Sequence, residues 1–305
     1  MTTLRRSSRR PVEVGQPPAG PAVHRSVRGQ LVQARDPPRP SREVQEGSPR
    51  IAGSTRGRAY VGTSGWSYDG WRTTFYGCCP RTDWLRLCAE RFTGLEINAT
   101  FYRLQSKATF ERWCAATPAH FRFAIKANRY LTHNKKLNDP LPAIALERSR
   151  ATGLGTKLAA VVWQLPHNLH RNLERLECFA RALRSWRSVR HAIEFRHPSW
   201  FDEDVALCMR RYRIAVCQSD AADWPLWDEV TTDLVYVRLH GHTATYASGY
   251  TEAELRVWAR KVRRWLREAH DVHVYFDNDA FGHAPHDALR LLELLHGRRT
   301  QPTCL

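Results

Sequence analysis

From Tyr60 onward, short apolar runs alternate with longer stretches whose apolar residues recur every three or four positions. The runs YVGTSGW (60–66), GLEINATF (94–101), FRFAIKAN (121–128), AAVVWQLP (159–166), HAIEFRH (191–197), RIAVCQSD (213–220), LVYVRLHG (234–241) and DVHVYFDND (271–279) predict eight strands. The stretches between them predict amphipathic helices over 82–92, 106–116, 140–152, 172–184, 202–211, 252–268 and 284–296. The gap after the sixth run is short and holds DWPLW, so a helix there is expected to be weak or missing. Alternating strands and helices imply an α/β protein with a parallel sheet. Eight such units in about 245 residues fit a single TIM-like (β/α)8 barrel. An open doubly wound sheet competes with this, but GTSGW after the first strand lacks the spacing of a dinucleotide-binding turn.

Along a barrel strand, side chains alternate between the helix layer and the lumen. If the apolar members of each run face the helices, Glu96 and Asn98 point inward from the second strand. Lys126 and Asn128 do so from the third, and Glu194 and Arg196 from the fifth. Tyr236, Arg238 and His240 follow from the seventh, and His273, Tyr275, Asp277 and Asp279 from the eighth. The ionisable members gather at the carboxyl-terminal ends, where barrel enzymes carry their active sites. Isolated charges in a lumen are costly, so these groups must pair, meet water or hold a ligand. A self-neutralising plug is the bland alternative; charges from five strands at one end fit a site better.

Composition adds a second layer. The formal net charge is +17; residues 1–57 hold eleven Arg, no Lys and four acids, or +7, which leaves +10 for residues 58–305. That segment also holds eight of the 17 prolines and no aromatic residue, and is expected to be a disordered arm preceding a barrel over 58–297 and a short tail over 298–305. A basic surface attracts anions, nucleic acid among them. Of 47 basic residues, 41 are Arg and 6 are Lys, so compositional bias explains part of this charge. The eight cysteines include no C-x-x-C pair, and no apolar run is long enough to span a membrane. A reduced, cytoplasmic protein with no membrane partner is expected.

The stretches GTSGWSYDGW (62–71), EINATFYRL (96–104), FRFAIKANRYLTH (121–133), WQLP (163–166), EFRHPSW (194–200), VYVRLHG (235–241) and YFDNDAFGHAPHDAL (275–289) together resemble the YecE-like proteins, the domain-of-unknown-function 72 family. The resemblance implies a TIM-like barrel and supplies no reaction. Two departures stand out: Asp277 occupies a position more often Asn in that family, and FYGCCP inserts Gly77, Cys78 and Cys79.

Several chemistries draw on the same mouth. Glu96 and Glu194, with Asp277 and His240, are the candidate general acids and bases. Lys126, Arg129, His133, Arg196 and Arg238 suit a phosphate or carboxylate ligand through charge-assisted hydrogen bonds. Lys135 and Lys136 read as a solvated loop. Trp66, Tyr68 and Tyr102 supply aromatic surface at the rim, and Asn98, Gln164, His197 and Asn278 add polar groups. Two inward carboxylates also admit a glycosidase, and a desolvated Lys126 admits a Schiff base. No cofactor is expected; a divalent metal has ingredients in His197, His240, Asp277, Glu96 and Glu194, but no tight ligand spacing, and nearby cations oppose it. The expectation is a protein that binds or transforms a small anionic ligand. A nucleic-acid-binding protein or phosphodiesterase, whose affinity would fall steeply with salt, and a non-catalytic interaction module are the alternatives.

Overall fold

The computed structural model describes residues 57–297. The arm expected over 1–57, save Gly57, and the tail 298–305 lie outside the described residues. Eight strands are present: β1 (Ala59–Thr63), β2 (Gly94–Ile97), β3 (Arg122–Lys126), β4 (Leu158–Gln164), β5 (Arg190–Glu194), β6 (Ala215–Asp220), β7 (Leu234–Leu239) and β8 (Asp271–Phe276). Each pairs in parallel with its neighbour, in the order β1-β8-β7-β6-β5-β4-β3-β2. The β1–β2 seam is joined by a bridge between Ser64 and Glu96, by Gly65 N–H donating to Glu96 O at 2.7 Å, and by Thr93 N–H donating to Val61 O at 3.1 Å. The result is a nearly closed TIM-like barrel. At this seam a Cβ on Gly62 would stand 1.9 Å from Gly94 O, so no side chain fits there.

The helices are α1 (Trp84–Arg91), α2 (Ala99–Tyr102), α3 (Lys107–Ala115), α4 (Pro140–Ala151), α5 (Leu173–Leu183), α6 (Glu203–Tyr212), α7 (Glu252–Arg267) and α8 (His283–His296). All but α2 lie where the apolar periodicity places a helix. The single turn of α2 falls inside a run expected to be wholly extended. The chain leaves the sheet at Asn98, whose φ of −80° and ψ of −27° are helical. Thr100 Oγ1 lies 2.7 Å from both Ile97 O and Lys126 O, fixing the turn to the ends of β2 and β3. No helix follows β6. Pro225 interrupts that segment, and the Trp227 ring stacks on Phe201 at 5.0 Å and lies 5.7 Å from Phe195, covering the sheet where a helix would otherwise pack.

The strand alternation divides the core into two layers. Leu95, Ile97, Phe123, Ile125, Val161, Trp163, Ile193, Val237, Val274 and Phe276 join the helices in the outer core. Ala124, Ala160, Val162, Ala192, Ala215, Cys217, Leu234, Tyr236 and Tyr275 fill the lumen. Small residues on four strands make room for the two tyrosines, so the lower lumen is packed. The polar layer therefore sits above this floor, at the carboxyl-terminal end. No helix among the described residues is long and apolar enough to cross a membrane.

Candidate functional site at the barrel mouth

Above the lumen floor stands Arg238, fully buried near the end of β7. Its Nε lies 3.1 Å from both carboxylate oxygens of Glu96. Nη1 donates to Glu194 Oε2 at 2.8 Å and stands 3.3 Å from His240 Nε2. Nη2 reaches Glu96 Oε1 and Asp277 Oδ2, each at 2.8 Å, and Ser64 Oγ at 3.1 Å. One guanidinium thus ties together carboxylates from β2, β5 and the end of β8. The rigid fork of Arg can meet three acceptors at once, which the point charge of Lys cannot.

Each carboxylate has further partners. Glu96 accepts from Tyr236 Oη at 2.6 Å and from Ser64 Oγ at 2.5 Å. Glu194 accepts from Arg196 Nε at 2.8 Å and Ser219 Oγ at 3.1 Å. His240 Nε2 is 3.4 Å from Glu194 Oε1, and its Nδ1 is 3.1 Å from Asp277 Oδ2 but outside hydrogen-bonding geometry. Burial pushes the Glu194 carboxyl upward, but Arg196 and Arg238 outweigh it and hold the group well below the usual carboxylate range. Asp277 behaves alike: burial opposes ionisation, and Arg238 and His240 prevail. Both are carboxylates at neutral pH and weak bases. Asp279 differs, because burial and the charge of Asp277 push it up to about 6.

The remaining cations are less engaged. Lys126, 5% exposed at the end of β3, places Nζ 4.2 Å from the centre of the Phe101 ring. Among the described residues it makes no hydrogen bond or ion pair. Burial and the charge of Arg238 lower its pKa to about 8, against the opposing pull of Asp277, Glu194 and Glu96. Arg129 is exposed, with its guanidinium 5.8 Å from the same ring and no acidic partner among the described residues. Arg196 stacks on Trp224 at 4.2 Å and donates from Nη1 to Tyr246 Oη at 3.0 Å, while its Nη2 is buried with no acceptor. His133 meets the Phe101 ring edge-on at 5.0 Å; burial, then the charges of Arg129, Lys126 and Arg196, bring its pKa down to about 4.

The other sequence-nominated residues occupy varied places. Tyr68 donates to Ser64 O at 2.7 Å, and Trp66 packs edge-on against Trp113 at 5.1 Å. Asn98 Oδ1 is buried without a donor. Tyr102 is 68% exposed, and Gln164 is buried with Nε2 3.4 Å from Leu165 O. His197 caps the turn Pro198–Trp200 by accepting from Ser199 N at 3.2 Å. Asn278 clamps Ser248 O at 2.9 Å and Asp287 Oδ2 at 2.8 Å, turned toward α8 rather than the lumen. His197 and Asn278 therefore build loops. Strand parity turns Asp279 inward without naming it as a site residue, and sequence reasoning missed Ser64, Ser219, Trp224 and Tyr246 as members of the site. Strand parity signals Ser219; Trp224 and Tyr246 lie on loops without any periodic signal.

Among the described residues no three His, Cys, Asp or Glu side chains form a metal-ligand set. Where His240, Glu194 and Asp277 converge, the Arg238 guanidinium already supplies the cation. A cleft of about 590 Å³ lies at the opposite pole, lined by Arg187, Arg190, Tyr212 and Arg213, and contains none of the nominated residues.

Residues 60–304 match the family model described as "Protein of unknown function DUF72". The chain is similar to the UPF0759 protein YunF of Bacillus subtilis (strain 168), 26% identical over 270 residues covering 77% of this chain and 94% of that protein. Among solved structures, a DUF72 family protein from Thermotoga maritima MSB8 matches with a TM-score of 0.71 and 26% identity, covering 78% of this chain and 99% of the other. A DUF72 family protein from Enterococcus faecalis V583 matches with a TM-score of 0.69 and 20% identity, covering 81% and 99%. With its barrel, and a family match that runs from β1 past α8, the chain belongs to the DUF72 family.

Proposed function

We propose that the barrel mouth binds a small ligand bearing a phosphate or carboxylate, held by Lys126, Arg129 and Arg196. One observation carries this reading: three cationic side chains with unengaged donors lie around His133, whose proton affinity all three depress. A buried donor without an acceptor is costly, and an anion would supply the acceptor for Arg196 Nη2. Arg238 takes another role. Every nitrogen of its guanidinium already faces a protein partner, so it organises the carboxylates rather than meeting ligand. The seven unpaired cysteines among the described residues favour a reducing, cytoplasmic setting.

The test is a thermal-shift and calorimetric titration of the full chain with inorganic phosphate, sugar phosphates and small carboxylates. A ligand at 100 times its dissociation constant stabilises by about 2.7 kcal/mol. Arg129→Ala and Arg196→Met should each weaken binding at least tenfold. If no probe stabilises the wild type, or if both variants bind as it does, the reading fails.

A further inference from the structure

We propose that Lys126 is a nucleophile, whose amine condenses with the carbonyl of an anionic ligand held by Arg129 and Arg196 to form an imine. This rests on the binding reading above and names the substrate class: a carbonyl compound that also carries a carboxylate or phosphate, such as a 2-oxo acid or a keto-sugar phosphate.

The geometry is that of an amine kept available. Lys126 ends β3 facing the mouth, and its Nζ has no acceptor among the described residues, although Glu96, Glu194 and Asp277 all belong to the same charged layer. Those three carboxylates converge on Arg238 instead. Phe101 of α2 covers one side of the amine. Arg238 from β7, and Arg129 and His133 just beyond β3, are the other titratable or charged neighbours. Burial and the Arg238 charge favour the neutral amine; the carboxylates limit how far this goes, and the balance lies at about 8. In a chain that uses Arg for 41 of its 47 basic residues, this position is one of six Lys. An Arg here would serve anion binding equally well but could not form an imine.

In the step itself, the Nζ lone pair attacks the carbonyl carbon and the C=O π pair moves to oxygen, giving a carbinolamine. That oxygen then leaves as water, taking up two protons, one from Nζ and the other from solvent. A protonated C=N bond remains between Lys126 and the ligand. No oxidant or reductant is consumed.

The test is reductive trapping. The full chain is incubated with pyruvate or dihydroxyacetone phosphate, sodium cyanoborohydride is added, and the labelled lysine is located by peptide mass spectrometry. Five other lysines compete, and the exposed Lys136 reports background labelling. Lys126 should carry the adduct at neutral pH, on the order of 100-fold faster than a free lysine side chain would, from the neutral fraction of an amine of pKa about 8, and in excess over Lys136. The labelling rate should be half-maximal near pH 8. Lys126→Arg should abolish the adduct, and Lys136→Met should change nothing. If Lys126 is unlabelled or labelled no faster than Lys136, while phosphate still binds, the nucleophile is refuted and the binding reading stands. If phosphate also fails to bind, both fall.

Discussion

Replacing Arg238 by Met removes the cation that joins Glu96, Glu194 and Asp277 and leaves a side chain of similar reach. Breaking a buried ion pair by removing one partner costs about 3–5 kcal/mol, because the other charge stays buried without compensation. Here three carboxylates lose their shared partner, and only Glu194 keeps another guanidinium, that of Arg196 at 2.8 Å. For a domain of this size each kcal/mol moves the melting temperature by about 2–4 °C, so a fall of about 6–20 °C is expected at pH 7. The pH dependence is the sharper readout. In the wild type, Glu194 and Asp277 have folded pKa values below their unfolded ones, so they contribute stability above about pH 4 that is lost on acidification. Without Arg238, burial raises the folded value of Asp277, whereas Arg196 still opposes burial at Glu194. The Asp277 contribution is then full below about pH 4 and disappears as pH rises. The penalty of the variant, measured by urea unfolding against wild type at each pH, should therefore shrink steadily from pH 8 to pH 5. Taking the difference cancels groups common to both proteins. A penalty that is small, or that stays constant across that range, would refute the account of Arg238 as the charge holding the mouth together.

Other perturbations probe separate parts of the argument. Glu147, buried on α4 and accepting from Asn128 N–H at 3.0 Å, has its pKa raised by burial to about 8. Its stabilising contribution is full below about pH 4.5 and lost as pH rises through 8, about 5 kcal/mol for 3.5 pH units. Glu147→Gln should flatten that decline in a pH series of unfolding midpoints; an unaltered decline would count against it. Tyr236→Phe removes the 2.6 Å hydrogen bond to Glu96 and should cost about 1.5–3 kcal/mol in chemical denaturation, with near-zero cost contradicting a charge-assisted bond. Gly62→Ala drives a methyl against Gly94 O at the β1–β2 seam, and should cost about 1–3 kcal/mol or prevent folding. A variant as stable as wild type would show that the seam can open.

Strand parity was legible because both layers of the barrel constrain it. Leu95 and Ile97 must meet helices, which leaves Glu96 no direction but inward, and the same logic places Lys126, Glu194 and Arg238. The run ends were less legible. Asn98 leaves the sheet through a helical backbone conformation stabilised by Thr100 from two residues downstream, and nothing in an apolar-polar pattern encodes that contact. Asn278 illustrates the opposite error. Parity sends it outward with Phe276, and it clamps Asp287 of α8, yet its place within a chemically suggestive FDND run drew it into the nominated site.

Pairing was the least legible property, and it decides the chemistry. The sequence offers Lys126, Arg196 and Arg238 as equivalent cations around Glu96, Glu194 and Asp277. The structure separates them by reach. β2, β5 and β8 bring their carboxylates to the tip of β7, so Arg238 takes all three and Arg196 shares one, while Lys126 has none within hydrogen-bonding distance. That division depends on which strands stand opposite across the lumen, a consequence of barrel closure at the Ser64–Glu96 bridge rather than of any local motif. Because closure commits the carboxylates to Arg238, it also leaves a lysine without a hydrogen-bond partner above a packed floor. The stability of the mouth and the reactivity proposed for Lys126 are thus two results of one arrangement. Arg238→Met, by releasing three carboxylates and removing the cation whose charge lowers the Lys126 pKa, should raise that pKa toward the ordinary lysine value and slow its trapping at neutral pH. Trapping that is as fast in that variant as in the wild type would separate the two and remove Arg238 from the account of the amine.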